Sequence, residues 1–116
     1  MSGPAERLAA LGLTLPPVTA PVAAYVPALR TGRYVYVSGQ LPVVEGKLPA
    51  VGKVGAEVSA EDAAGMARTC ALNALAAAAS AAGGLEAIRR IVKVTTPTGS
   101  RPPPRPTSAP TRPRCR

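Results

Sequence analysis

The chain has 116 residues, room for one domain, with 47% apolar residues, three Tyr as its aromatics and a net charge of +8. It has no His, which excludes a His-based triad, a Cys–His dyad and the usual zinc sites within one chain. The charge does not spread over the body: residues 1–95 hold nine Lys or Arg and all six acids, net +3, while residues 96–116 hold five Arg and no acid, net +5.

In chain order, PAERLAAL (4–11) predicts a short helix stopped by Gly12. The same N-terminus is not a secretory signal, because Glu6, Arg7 and Gly12 interrupt its apolar run. Residues 14–24 are expected to be extended, since Pro16, Pro17 and Pro21 forbid a helix interior. YVPALRTG (25–32) predicts an irregular strand leading to a turn at Thr31-Gly32, and RYVYVSG (33–39) a clear strand of β-branched and aromatic residues. The two form a hairpin, with Pro27 at an edge or bulge. Residues 42–58 read as a loop with a turn at Glu45-Gly46 and further punctuation at Gly52 and Gly55.

The strongest helix spans 59–83. Ser59 can cap it, Glu61 and Asp62 place acids in its first turn, and Gly83-Gly84 ends it. Met66, Cys70, Asn73/Ala74 and Ala77 follow at helical spacing. The Ala-rich run at 63–82 is not a membrane span, because Arg68, Asn73 and its weak hydrophobicity argue against one, and no membrane partner is expected. LEAIRRIVKVT (85–95) predicts a turn of helix and then a strand carrying Ile91, Val92 and Val94. Arg30, Arg33, Arg68, Arg89, Arg90 and Lys93 read as solvated charges. Residues 1–95 are therefore α+β, a sheet with a helix on one face. Residues 96–116 contain seven Pro and five Arg and no Leu, Ile, Val, Met or aromatic residue, so a disordered Pro/Arg-rich tail is predicted. Cys70 reads as a small buried thiol and Cys115 as idle; no disulfide framework or metal motif is present, which fits a reducing, cytoplasmic setting.

The stretch APVAAYVPALRTGRYVYVSGQLP, the capped helix at 59–83 and IVKVT together resemble the RidA/YjgF family of enamine/imine deaminases, also called L-PSP endoribonuclease-like, over roughly residues 5–95. The AERLAALGL-like opening is similar to one bacterial branch of that family. The resemblance implies a chorismate-mutase-like protomer, a mixed sheet with helices on one face, assembled as a homotrimer with clefts between subunits. It implies hydrolysis of reactive 2-aminoacrylate-type enamines and imines to 2-keto acids and ammonia, with no metal or organic cofactor. Such chemistry requires a carboxylate anchor, polar groups around the imine nitrogen and an activated water, and an Arg–carboxylate fork supplies both charge and orientation.

Carried over residue by residue, the resemblance assigns substrate binding to Tyr25, on the first strand, and to Ser38, Gly39 and Gln40 of the Ser-Gly-Gln turn. Tyr25 and Ser38 stand thirteen residues apart, as the family requires. The carboxylate-clamping Arg, the water-positioning Glu and an Asn of a second helix have no counterpart; no catalytic residue is assignable, and Arg105 lacks the clamp's sequence context. The expectation is a partial RidA-like domain at 1–95, with residues 96–116 replacing the catalytic half through a frameshift or chimeric end, and no deaminase activity in the chain as given. Two alternatives remain at this level. One is a non-catalytic oligomeric binding protein. The other is nucleic-acid binding or endoribonuclease action, disfavoured because the basic tail has no aromatic residue for stacking.

Overall fold

A computed structural model of the protein describes residues 3–18 and 24–97. Helix α1 spans Pro4–Ala10, with Pro at its start and Glu6 in its first turn. Proline suits that position because its missing N–H would be unsatisfied there in any case. Strands β1 (Ala28–Thr31) and β2 (Tyr34–Val37) pair antiparallel, with Ala28 opposite Val37 and Thr31 opposite Tyr34. The register leaves Gly32 and Arg33 as the loop, one residue later than Thr31-Gly32. Gly32 has φ +57 while Arg33 is not in the left-handed region. That places the glycine where a type II′ hairpin turn needs it. Pro27 sits just before β1 and contributes no N–H to the ladder, as its lack of a donor demands.

Helix α2 spans Ala60–Ala82. The Ser59 hydroxyl accepts a hydrogen bond from the Asp62 N–H at 3.1 Å, and Glu61 and Asp62 lie in the first turn. At the other end Gly83 adopts φ +88, and the N–H groups of Gly83 and Gly84 both donate to the Ala79 carbonyl. A Cβ would be strained at that φ, so a glycine there stops the helix cleanly. A single 3-10 turn, Leu85–Ala87, follows and packs between α2 and α1.

Residues 88–97 take no regular structure, so the strand expected at 91–95 does not form. A strand exists through its partner's hydrogen bonds, and the β1–β2 hairpin is the sheet among the described residues; neither of its edges pairs with this segment. Ile91 and Val94 are accordingly 57% and 76% exposed. The expected mixed sheet is thus represented by one antiparallel hairpin. The disorder assigned to 96–116 and the idle Cys115 fall almost wholly outside the described residues; Thr96 and Pro97 are exposed and irregular.

α2 lies across the hairpin and covers one of its faces. Its small side chains permit close approach, and Ala76 and Ala77 are buried in the contact layer together with Val58 at the end of the preceding loop. Val35 and Ala28 are half-buried. Leu29, Tyr34 and Tyr36, which the register puts on the opposite face with Thr31, are exposed, Tyr36 to 66%. No helix is long and apolar enough to cross a membrane among the described residues.

Candidate functional site

The hairpin register carries β2 out of the sheet at Val37, directly into Ser38-Gly39-Gln40. Ser38 continues the ladder by one residue. Its N–H and its hydroxyl both donate to the Pro27 carbonyl, each at 3.0 Å. Pro27 has a carbonyl and no donor, so this doubled bond is what closes the open end of the hairpin. Gln40 folds back, its Nε2 donating to the Ser38 carbonyl at 3.2 Å. The turn is therefore held by its own side chains, each tied to the main chain. Both Ser38 and Gln40 are half-buried.

Gly39 is exposed between them. A Cβ built there would meet nothing within 4 Å, and its φ is outside the left-handed region. The fold of this chain therefore does not itself call for glycine at 39. Tyr25 lies at the same end of the hairpin, on a bend two residues ahead of Pro27, and is 40% exposed. The structure brings Ser38 and Gln40 together with Pro27. It leaves Tyr25 free of side-chain hydrogen bonds to them among the described residues.

A residue not assigned from sequence completes this arrangement. Asn73, near the middle of α2, is 2% exposed and is the buried polar side chain among the described residues. Its Nδ2 donates to the carbonyls of Leu41 (3.0 Å) and Val43 (3.2 Å), in the irregular segment that leaves the turn. The signal was present in the sequence. Asn73 shares the helical stripe of Met66, Cys70 and Ala77, and an amide on a buried stripe must find hydrogen-bond partners. Its partners lie about thirty residues upstream and are main-chain atoms, which no side-chain pattern reveals.

Cys70, one turn before Asn73, is half-buried, and burial pushes its thiol above the ordinary range. Its thiolate fraction near neutral pH is correspondingly lower than that of an exposed cysteine. No group of three or more His, Cys, Asp or Glu that could hold a metal occurs among the described residues. The turn thus joins an unobstructed glycine to a Ser38 hydroxyl and a Gln40 amide that both donate to main-chain carbonyls, and it contains no acid, base or fixed charge.

Residues 5–98 match the family described as "YjgF/chorismate_mutase-like, putative endoribonuclease". The chain is 34% identical over 90 residues to Protein TCP17 of Trypanosoma cruzi, covering 78% of this chain and 56% of that protein. Its fold is similar to that of a crystal structure of "a putative endoribonuclease" from Shewanella oneidensis, at 37% identity and a TM-score of 0.67, over 72% of this chain and 56% of that one. It is also similar to the protein Atu1372, of unknown function, from Agrobacterium tumefaciens: 42% identity, TM-score 0.56, 68% and 46% of the two chains. The chain therefore spans about half the length of these relatives, and its hairpin and α2 represent the corresponding part of their α+β, chorismate-mutase-like fold. On the match over residues 5–98, the chain belongs to the YjgF/chorismate-mutase-like family.

Proposed function

We propose that residues 1–95 form one wall of a RidA-type cleft, which orients reactive enamines and imines of the 2-aminoacrylate type for hydrolysis to 2-keto acids and ammonia. The observation that carries this reading is the construction of the Ser38-Gly39-Gln40 turn. Ser38 is tied to Pro27, the segment that leaves the turn is held by Asn73 at Leu41 and Val43, and Gly39 stays exposed and open. A turn so held presents main-chain groups to a ligand without having to reorganise, and a glycine lets that ligand come close. Ser38 and Gln40 shape the turn, and Tyr25 closes its end. The reaction needs no metal or organic cofactor in this reading, and the setting is a reducing cytoplasm.

The cleft is completed by a second copy of the chain in a homotrimer. The exposed face made by Leu29, Tyr34 and Tyr36 supports this, since three large apolar side chains side by side on a hairpin are suited to burial against a partner. The 116 residues supply no clamp Arg in its family context and no water-positioning Glu, so the chain alone binds weakly and does not turn over. Residues 96–116 act as a basic tail, not as part of the cleft.

The test is a chimera joining residues 1–95 to the clamp-bearing segment of an active RidA enzyme. It is expected to release 2-keto acid from freshly generated 2-aminoacrylate, and Gly39→Val is expected to lower that rate by about tenfold or more. A folded trimeric chimera without turnover would overturn the assignment of the turn.

A second reading follows from the word endoribonuclease in the description of the family and of the Shewanella relative. The net charge of +8 favours RNA contact. The absence of His removes the most common general acid–base group for RNA cleavage. This reading expects RNA cleavage that survives removal of residues 96–116. The first expects salt-sensitive binding that disappears with them.

A further inference from the structure

Helix α1 has seven residues, none of them buried. A helix this short does not hold itself in water, so it depends on what it docks against. Among the described elements it packs on the 3-10 turn Leu85–Ala87 alone. Pro4 and Leu8, about one turn apart on α1, are half-buried and line one shallow depression with Leu85 and Ile88, whereas Leu11 is 72% exposed. No main-chain hydrogen bond joins residues 3–18 to the hairpin, to α2 or to the 3-10 turn among the described residues.

One side chain makes the connection. Gly83 and Gly84 end α2 with φ +88 and +142, a backbone that side chains rarely adopt, and the reversal puts Glu86 beside the start of α1. The Glu86 carboxylate accepts the Ala5 N–H at 3.1 Å. That N–H is one of the first-turn donors with no partner inside the helix. Pro4 has no N–H, the Arg7 N–H is bonded to the Gly3 carbonyl at 3.1 Å, and Gly3, at the N-cap, has no side chain to take the Ala5 donor. Glu86 thus caps α1 from the far end of the described chain, at the end of the helix where the dipole favours a negative charge. Its carboxylate lies so close over Gly3 that a Cβ there would displace it.

We infer that α1 is a strap that opens as a unit before the rest of the chain unfolds, and that the Glu86 carboxylate is the latch that sets how often it opens. A segment with no buried side chain and one long-range hydrogen bond lies at the low end of local stability. The latch is a single exposed, charge-assisted bond, strong enough to shift the population of the docked strap and too weak to lock it. The strap and its latch share no residue with Tyr25, Ser38, Gly39, Gln40 or Asn73, so their behaviour is independent of the deaminase reading.

The test is amide hydrogen exchange of the 15N-labelled 116-residue chain, with protection taken relative to intrinsic rates. In the parent, the bonded amides of Arg7, Leu11 and Leu13 are expected to be protected, but at least tenfold less than those of Asn73, Ala76 and Ala77 in α2. Glu86→Ala is expected to lower protection in the strap about fivefold and to leave α2 unchanged. Glu86→Gln keeps an acceptor without the charge and is expected to fall between the two. Gly3→Ala is expected to act like Glu86→Ala, because it pushes the carboxylate away, and to add less than about twofold when combined with it. Four results would each overturn the inference: strap protection in the parent that is absent or equal to that of α2, a Glu86→Ala variant that loses protection in α2 as well, one that changes neither, or fully additive effects of the two substitutions.

Discussion

Asn73 connects the helix to the candidate site through one side chain. Its two donated hydrogen bonds hold the main chain of Leu41 and Val43, three and five residues past Ser38. Asn73→Ala leaves both carbonyls without their donor in a nearly dry position and is expected to cost about 2 kcal/mol in urea unfolding. Asn73→Asp is nearly the same shape but faces two carbonyl oxygens with a carboxylate, and is expected to cost at least as much as Asn73→Ala near neutral pH. An Asp variant as stable as the parent would show that these bonds do not hold the turn. Cys70 makes the opposite point. Because burial raises its thiol, it is expected to alkylate more slowly than free cysteine at pH 8, with its reactivity rising at a higher pH than for an exposed thiol. A Cys115→Ser background isolates the measurement. Ser38, Gly39 and Gln40, singled out from their sequence context, lie in one turn. The bonds that fix them were not legible, because both Pro27 and Asn73 act on main-chain atoms remote in sequence.

At the scale of elements, the parts read correctly from sequence are those whose signals are local. The Ser59 cap, the acids behind it and Gly83 fix the ends of α2 within a residue of where they were expected. Gly32 fixes the hairpin loop, and Glu45-Gly46 form the turn between Val44 and Lys47, both with positive φ. The segment 91–95 has the composition of a strand and is none, since composition cannot supply an edge to pair with. Ser59→Ala is expected to lower stability by about 1 kcal/mol and to reduce helicity in circular dichroism, the hydroxyl to Asp62 being lost. The loop before α2 carries its own pH dependence. Glu57 accepts from the Lys53 N–H at 2.8 Å, and this bond, with one from its own N–H, holds its carboxyl below the ordinary value of 4.5. A depressed pKa in the folded chain stabilises above the unfolded value, and that contribution disappears as pH falls through the folded value. The protection of the Lys53 amide relative to its intrinsic exchange rate is therefore expected to fall as pH drops through the lowered Glu57 value, and Glu57→Gln to remove this dependence. An unchanged pH profile in the variant would assign the effect to another group.

For the whole molecule, the decisive feature is how little is buried. Among the described residues Val58, Ala76 and Ala77 are the buried apolar side chains, whereas Leu29, Tyr34, Tyr36, Ile91 and Val94 are mostly exposed. Apolar area left in water contributes nothing to folding, at roughly 25 cal/mol for each Å² not removed. A single copy in this arrangement is therefore marginal, and self-association through the Leu29–Tyr34–Tyr36 face is expected in sedimentation velocity. Tyr36→Lys is expected to shift the chain toward the monomer. Sedimentation as a stable monomer in the parent would refute the role given to that face. The family and its fold were legible because the match runs through hairpin, loop and helix together.

In the function proposed above, these 116 residues carry one wall of a deaminase cleft and not its catalytic clamp. Its most direct test is the rate of 2-keto acid release from freshly generated 2-aminoacrylate, with and without the purified chain. The same rate as buffer is expected across a wide range of protein concentration. A rate that rises in proportion to the chain, and falls when Gly39 is replaced by Val, would place a complete active site in these residues and contradict it.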